Sequence, residues 1–192
     1  MDIDDILNQI YILPKSSADL LKNYVSVLNC PKGHLLIKAG RVERKLYFIK
    51  KGIVRAFSES EKGETTFWFG EEGETAISMK GYVQNERGYE NIQLLEDCEL
   101  YALDIKDLNY LYENDIYIAN WGRKFAENEI LKMEHRIISR ELLEATERYQ
   151  FLLINSPNFV RRIPLKHIAS YLGITQVSLS RIRKMSKTHY LS

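Results

Sequence analysis

Cysteine is scarce in this sequence, with only Cys30 and Cys98 among 192 residues. The two stand far apart and in no C-x-x-C spacing, which excludes an iron-sulfur cluster or a structural zinc site, since both want about four ligands. Two free thiols, buried or half-buried, are expected. Long hydrophobic runs are missing too. No stretch approaches the roughly 20 apolar residues that cross a bilayer, and Met1-Asp2-Ile3-Asp4-Asp5 has the wrong charge for a secretory leader. A cytoplasmic protein with no membrane partner is expected. The four histidines, His34, His135, His167 and His189, are dispersed, and only His34 lies among β-prone segments. A cupin-type metal-dependent enzyme, which clusters such ligands, is therefore the weaker reading. No G-x-S-x-G, P-loop or dinucleotide-binding fingerprint occurs. The expectation is a protein that is not an enzyme and has no cofactor and no metal.

The most informative absence is local. From 161 to 192 there is no Asp or Glu, against seven basic residues: Arg161, Arg162, Lys166, Arg181, Arg183, Lys184 and Lys187. The whole chain has 27 basic and 26 acidic residues, so the rest holds 20 against 26, and its −6 offsets the tail's +7. A segment stripped of carboxylates suits a polyanionic partner, because phosphate neutralisation with counterion release drives nucleic-acid binding.

What is present divides the chain by texture. Apolar positions at helical spacing, Ile3, Ile6, Leu7 and Ile10, then Leu20, Leu21, Tyr24, Val25 and Leu28, predict two short helices broken near Pro14. From Gly33 to about Asp104, short β-prone runs alternate with glycine turns, among them Leu46-Tyr47-Phe48-Ile49, Gly52, Ile53-Val54-Arg55-Ala56-Phe57 and Thr65-Thr66-Phe67-Trp68-Phe69. This spacing predicts an antiparallel barrel or jelly roll. From Asp115 a long helix follows, with Ile118, Trp121, Phe125, Asn128, Leu131, His135, Ile138 and Leu142 on one stripe. The stripe either lies on its own barrel or pairs two subunits, and the second is favoured because Asn128 and His135 suit a polar register in a seam. A hinge is expected near 139–146, and a helix through Tyr149, Leu152 and Leu153 is stopped by Pro157.

The motif that bears function runs from Ile163 to Met185. Pro164 to Leu172 forms a helix with the small Ala169 inside it, Gly173 turns the chain, Thr175 caps, and Gln176 to Met185 begins a second helix with Leu179 and Ile182 inward. A small residue four positions before a turn glycine lets two helices cross closely, as in a helix-turn-helix. The start of the second helix enters the major groove in that geometry. Gln176, Val177, Ser178 and Arg181 are the candidates for base contacts, and Lys166, Thr175, Arg183, Lys184 and Lys187 for phosphate contacts.

The order of glycine-punctuated β domain, long helix and C-terminal helix-turn-helix resembles the Crp/Fnr family of bacterial regulators over nearly the whole chain. Leu46-Tyr47-Phe48-Ile49-Lys50-Lys51-Gly52-Ile53-Val54-Arg55 looks like the family's strand, turn and strand. Glu147-Arg148-Tyr149 and Leu179-Ser180-Arg181-Ile182-Arg183-Lys184 are similar to its ligand-orphan, Bacteroidetes-type branch. The resemblance implies an α+β protein. Its parts would be a cyclic-nucleotide-binding-like jelly roll (double-stranded β-helix) over 1–114, a dimerisation helix and hinge over 115–142, and a winged-type helix-turn-helix over 143–192. It also implies a homodimer on double-stranded DNA that recruits or blocks RNA polymerase. The family's cyclic-nucleotide binders hold the ribose with a Gly-Glu pair and the phosphate with Arg-Ser or Arg-Thr. Here Thr75 to Gly81 has no Gly-Glu, and Arg87 stands one position early, before Gly88 and Tyr89. Cyclic AMP is therefore not the expected effector; Lys80 and Arg87 are the only phosphate contacts that pocket could offer, and the small-molecule effector stays open. Val177 stands where other members often carry a glutamate able to accept from cytosine. A signalling module without direct DNA readout is the remaining alternative, opposed by the missing carboxylates of the tail.

Overall fold

In a computed structural model, residues 1–61 and 63–189 are described, 186–189 by backbone alone. Two short helices, α1 (Ile3–Ile10) and α2 (Lys15–Lys22), precede eight strands, β1 (Val25–Cys30), β2 (Leu35–Ile37), β3 (Lys45–Lys51), β4 (Val54–Ser60), β5 (Gly63–Gly70), β6 (Thr75–Ala76), β7 (Asn91–Leu94) and β8 (Cys98–Asp104), with α3 (Met79–Gln84) between β6 and β7. The strands form two antiparallel four-stranded sheets, ordered β1-β8-β3-β6 and β2-β7-β4-β5. The central strands β3 and β8 of the first sheet are buried on both faces, and their alternation shows why. In β3, Tyr47 and Ile49 enter the core between the sheets, while Leu46 and Phe48 enter a second core against the helices. In β8, Leu100 and Ala102 face inward, and Tyr101 and Leu103 face the helices. Cys30 and Cys98, distant in sequence, are cross-strand neighbours of β1 and β8 and are free thiols.

The helices on that outer face are α1, α2, α4 (Ile105–Asn114) and α5 (Ile116–Leu142). Asp115 starts α5 by accepting hydrogen bonds from the backbone N–H groups of Tyr117 and Ile118. The first half of the predicted stripe of α5 faces its own roll. Ile118, Trp121 and Phe125 are buried in the protomer's core, with Trp121 stacked on Phe125, edge-on to Phe48, and donating from Nε1 to the Leu7 carbonyl. This corrects their assignment to a dimer seam: a 3.6-residue period identifies a buried face but not what buries it. Asn128, Leu131 and His135 line a cavity of about 350 Å³ between α5 and Gln9, Ile10, Gly73 and Thr75. Ile138 and Leu142 of the stripe are left clear of both. A second ridge, Ile130, Met133 and Ile137, is exposed, as are Ile138 and Leu142.

After Leu143 and Glu144 come α6 (Ala145–Asn155), α7 (Pro157–Arg162), α8 (Leu165–Leu172) and α9 (Gln176–His189). Pro157 does end one helix, and it also begins the next, because its fixed φ and missing N–H suit a first turn. No strand follows Asp104 among the described residues, so the expected wing has no counterpart there. No helix among the described residues is long and apolar enough to cross a membrane.

Candidate nucleic-acid interface

Helices α8 and α9 meet through a turn whose hydrogen bonds account for its sequence. Gly173 takes the left-handed conformation at φ +68°, with its N–H on the Ser170 carbonyl and that of Ile174 on the Ala169 carbonyl. This pairing closes the end of α8 and needs a residue without a Cβ penalty at Gly173. Thr175 then starts α9, its Oγ1 accepting from the Ser178 N–H at 3.1 Å and sharing a hydrogen bond with the Ser178 hydroxyl at 2.9 Å. Leu179 and Ile182 are buried with Ile168, Ala169 and Leu172, as the spacing requires.

The outward side of α9 carries Gln176, Val177, Arg181 and Lys184, all exposed, with Val177 at 63%. Thr175 and Lys166 are exposed as well. Ser178 is half-buried, and its hydroxyl is engaged by Thr175. Arg183 is half-buried, hydrogen-bonded to Tyr149, whose hydroxyl is raised above its ordinary range by burial. The side chain of Lys187 lies outside the described residues. Among the exposed groups are a carboxamide and a guanidinium that can pair with base edges, a methyl-bearing Val177, and cations for phosphate.

The opposite side of this unit is docked on the roll. Ile53, Phe69 and Leu95 share one apolar core with Tyr149, Leu152, Phe159, Ile163 and Leu179, and Phe69 packs against the rings of Phe159 and Tyr171. Arg162, counted at first with the tail's free charge, is spent here. It makes a two-point bond to Glu72 at 2.8 and 2.9 Å and also contacts Glu96, while Asn158 donates to Glu71. These bonds from Arg162 hold the Glu72 carboxyl down at about 2, against burial and with help from the Gly52 N–H. His167 is buried on α8, where burial first, then Arg55 and Lys166, lower it to about 4. Arg148 donates to the carbonyls of Leu143 and Leu172, tying the end of α5 to the end of α8.

The second candidate region is the loop around α3. Lys80 and Arg87 are both exposed. What is buried is Ser78 and Glu90, two groups the sequence reading did not single out, and Glu90 Oε1 has no partner among the described residues. A cyclic phosphate is an anion that needs a buried cation or a nest of N–H groups. With Lys80 and Arg87 exposed, and Ser78 and Glu90 the buried polar groups, the residues here do not offer such a phosphate its counter-charge. No cluster of His, Cys, Asp and Glu suited to a metal occurs among the described residues.

Against known proteins, the decisive match is to the roll. Residues 27–115 match the cyclic nucleotide-binding domain. The match spans most of the roll, and with the helices around it the fold resembles that of whole regulators. FixK2 from Bradyrhizobium japonicum superposes with a TM-score of 0.73 at 16% identity, over 86% of this chain and 85% of that one. A protein from Eubacterium rectale, described as a transcriptional regulator of the Crp/Fnr family, gives 0.70 at 15% identity over 92% and 85%. The c-di-GMP-responsive global regulator CLP of Xanthomonas campestris gives 0.67 at 14% identity over 93% and 94%. At such identities the likeness is one of fold. No curated protein matches the sequence.

Proposed function

We propose that this chain is a sequence-specific DNA-binding transcription regulator of the Crp/Fnr type, in its ligand-orphan branch, acting as a homodimer. The observation that carries the reading is the exposed start of α9. Gln176, Val177 and Arg181 project from a helix capped by Thr175 and braced from behind by Leu179 and Ile182, with no carboxylate on either helix of the motif. Residues 143–192 are the DNA-binding unit, 1–114 the sensor, and 115–142 the dimerisation helix and hinge. The dimer is made by the C-terminal half of α5 through Ile130, Met133, Ile137, Ile138 and Leu142, an apolar surface that a second copy would cover. Two copies of α9 then read half-sites about 34 Å apart on one face of DNA. Gln176 suits adenine, Arg181 suits guanine, Val177 meets a thymine methyl, and Ser178 serves chiefly to hold Thr175. Lys166 and Lys184 meet phosphate. RNA polymerase is the partner through which such binding acts on transcription. The sensor's effector is not cyclic AMP, because Lys80 and Arg87 are exposed and the polar groups buried beside α3 are Ser78 and Glu90, neither of them a cation for the phosphate.

Footprinting of the purified protein across a salt series tests this. Protection of a two-fold symmetric site, with affinity falling steeply as salt rises, is the expected result. Equal binding to all sequences at moderate salt would refute it.

A further inference from the structure

Strand β5 is at the edge of its sheet, so the Thr66 N–H and the Glu64 carbonyl point away from β4 and need other partners. Both find the same side chain: the Ser170 hydroxyl on α8 accepts from the Thr66 N–H at 2.9 Å and donates to the Glu64 carbonyl at 3.1 Å. The first helix of the helix-turn-helix thus takes the place of a missing strand. Beside it, Arg55 on β4 is 3% exposed and uses its guanidinium in several directions at once. It donates to Gln93 on β7, to Glu64 and Thr66 on β5, and to Nδ1 of His167 on α8 at 2.7 Å. Three strands and one helix of the DNA-binding unit share this cation; Arg55, Thr66 and His167 are buried, so water cannot replace the bonds among them, whereas Glu64 stays exposed.

We infer that Arg55, His167 and Ser170 are positioning residues for DNA binding, which seat α8 on the edge of β5 so that the roll itself sets where α9 stands. In a dimer built on α5, the separation of the two α9 helices then follows from this contact and not only from the Leu143–Glu144 joint. The docking half of the inference stands on the geometry alone; the positioning half rests on the DNA-binding reading above.

The full-length protein tests both. Amide exchange at Thr66 reports docking without DNA, since its N–H is held by Ser170 and by no strand. His167→Leu and Ser170→Ala should each speed exchange at Thr66 by about ten-fold or more, with Ala56 in β4 unchanged. His167→Asn, which keeps an acceptor near the Nδ1 position, should restore protection. On palindromes whose half-sites are moved apart or together by about two base pairs, the wild type should prefer one spacing by about ten-fold, and His167→Leu should lose that preference while its half-site sequence stays the same. Unchanged exchange at Thr66 in both variants would overturn the docking role. Faster exchange with spacing preference intact would overturn the positioning role. If the wild type has no sequence preference, the DNA-binding reading and the positioning role with it are overturned, whereas the exchange result still decides the docking role.

Discussion

Nη1 of Arg55 lies 2.7 Å from Nδ1 of His167, joining the second sheet of the roll to helix α8 across 112 positions of sequence. A guanidinium only donates, so the imidazole accepts at Nδ1 and carries its proton on Nε2. The docked arrangement therefore requires a neutral His167, and acid acts against it.

The sign follows from the depressed value. His167 is near 4 when docked, against 6.5 when free; burial pushes it down most, then Arg55 on β4 and Lys166 on its own helix, and Glu64 on β5 opposes them only in part. Undocked protein binds the proton more readily, so the contribution is full above about pH 6.5 and is lost as pH falls toward 4, by up to about 1.4 kcal/mol per pH unit. Thermal unfolding of the wild type should become easier through that window. His167→Asn should give a flatter profile there; an identical profile would show that another group titrates.

At the far end of the same interface, Arg162 separates Glu72 from Glu96. Arg162→Ala leaves two neighbouring carboxylates without their cation, and a loss of about 1–3 kcal/mol in chemical denaturation is expected. Glu72 acts in a lower pH range than His167. Its depressed carboxyl, about 2 against 4.5, contributes fully above pH 4.5, and that contribution is lost as pH falls toward 2. In Arg162→Ala this acid-side loss should shrink, as melting curves between those values will register.

How much of this was legible beforehand depended on whether a feature is local. Ala169, Gly173 and Thr175 specify a turn through neighbouring backbone bonds and the Thr175 hydroxyl, and the structure has that turn. Asp115 marks the start of α5, and the β-prone runs became strands, for the same reason. Longer-range features were hidden. Ile118, Trp121 and Phe125 announce a buried face without naming its partner, which proved to be the protomer's own α1 and sheet. Arg55 reads as an ordinary strand residue and His167 as one of four scattered histidines until the fold brings them together. Glu90, the buried carboxylate, has no sequence signature at all. Arg162 looked like one more tail charge, because composition counts a cation without showing that a distant Glu72 neutralises it.

Arg181 and Lys184 share the outward side of α9 but should behave differently. Arg181→Ala is expected to cost about 1–3 kcal/mol on the preferred site and to relax the choice of base at one position. Lys184→Ala should weaken all sequences alike and lower the salt slope by about 1. Binding titrations on the preferred and single-base-altered sites separate the two.

Dimerisation should depend on the exposed C-terminal half of α5 and not on Ile118, Trp121 and Phe125, which are buried in the protomer. Ile137→Glu, at a side chain 56% exposed in the protomer, should yield a folded monomer by sedimentation with little change in melting of the isolated protomer. Trp121→Ala should instead destabilise the fold itself by about 3–5 kcal/mol, since that ring is fully buried within one chain.

If α9 reads DNA sequence, selection of bound duplexes from a random pool by the purified 192-residue chain will show it. Enrichment of one two-fold symmetric sequence, lost on combining Gln176→Ala with Arg181→Ala, is the predicted result. A pool that stays random after repeated rounds at moderate salt would contradict it.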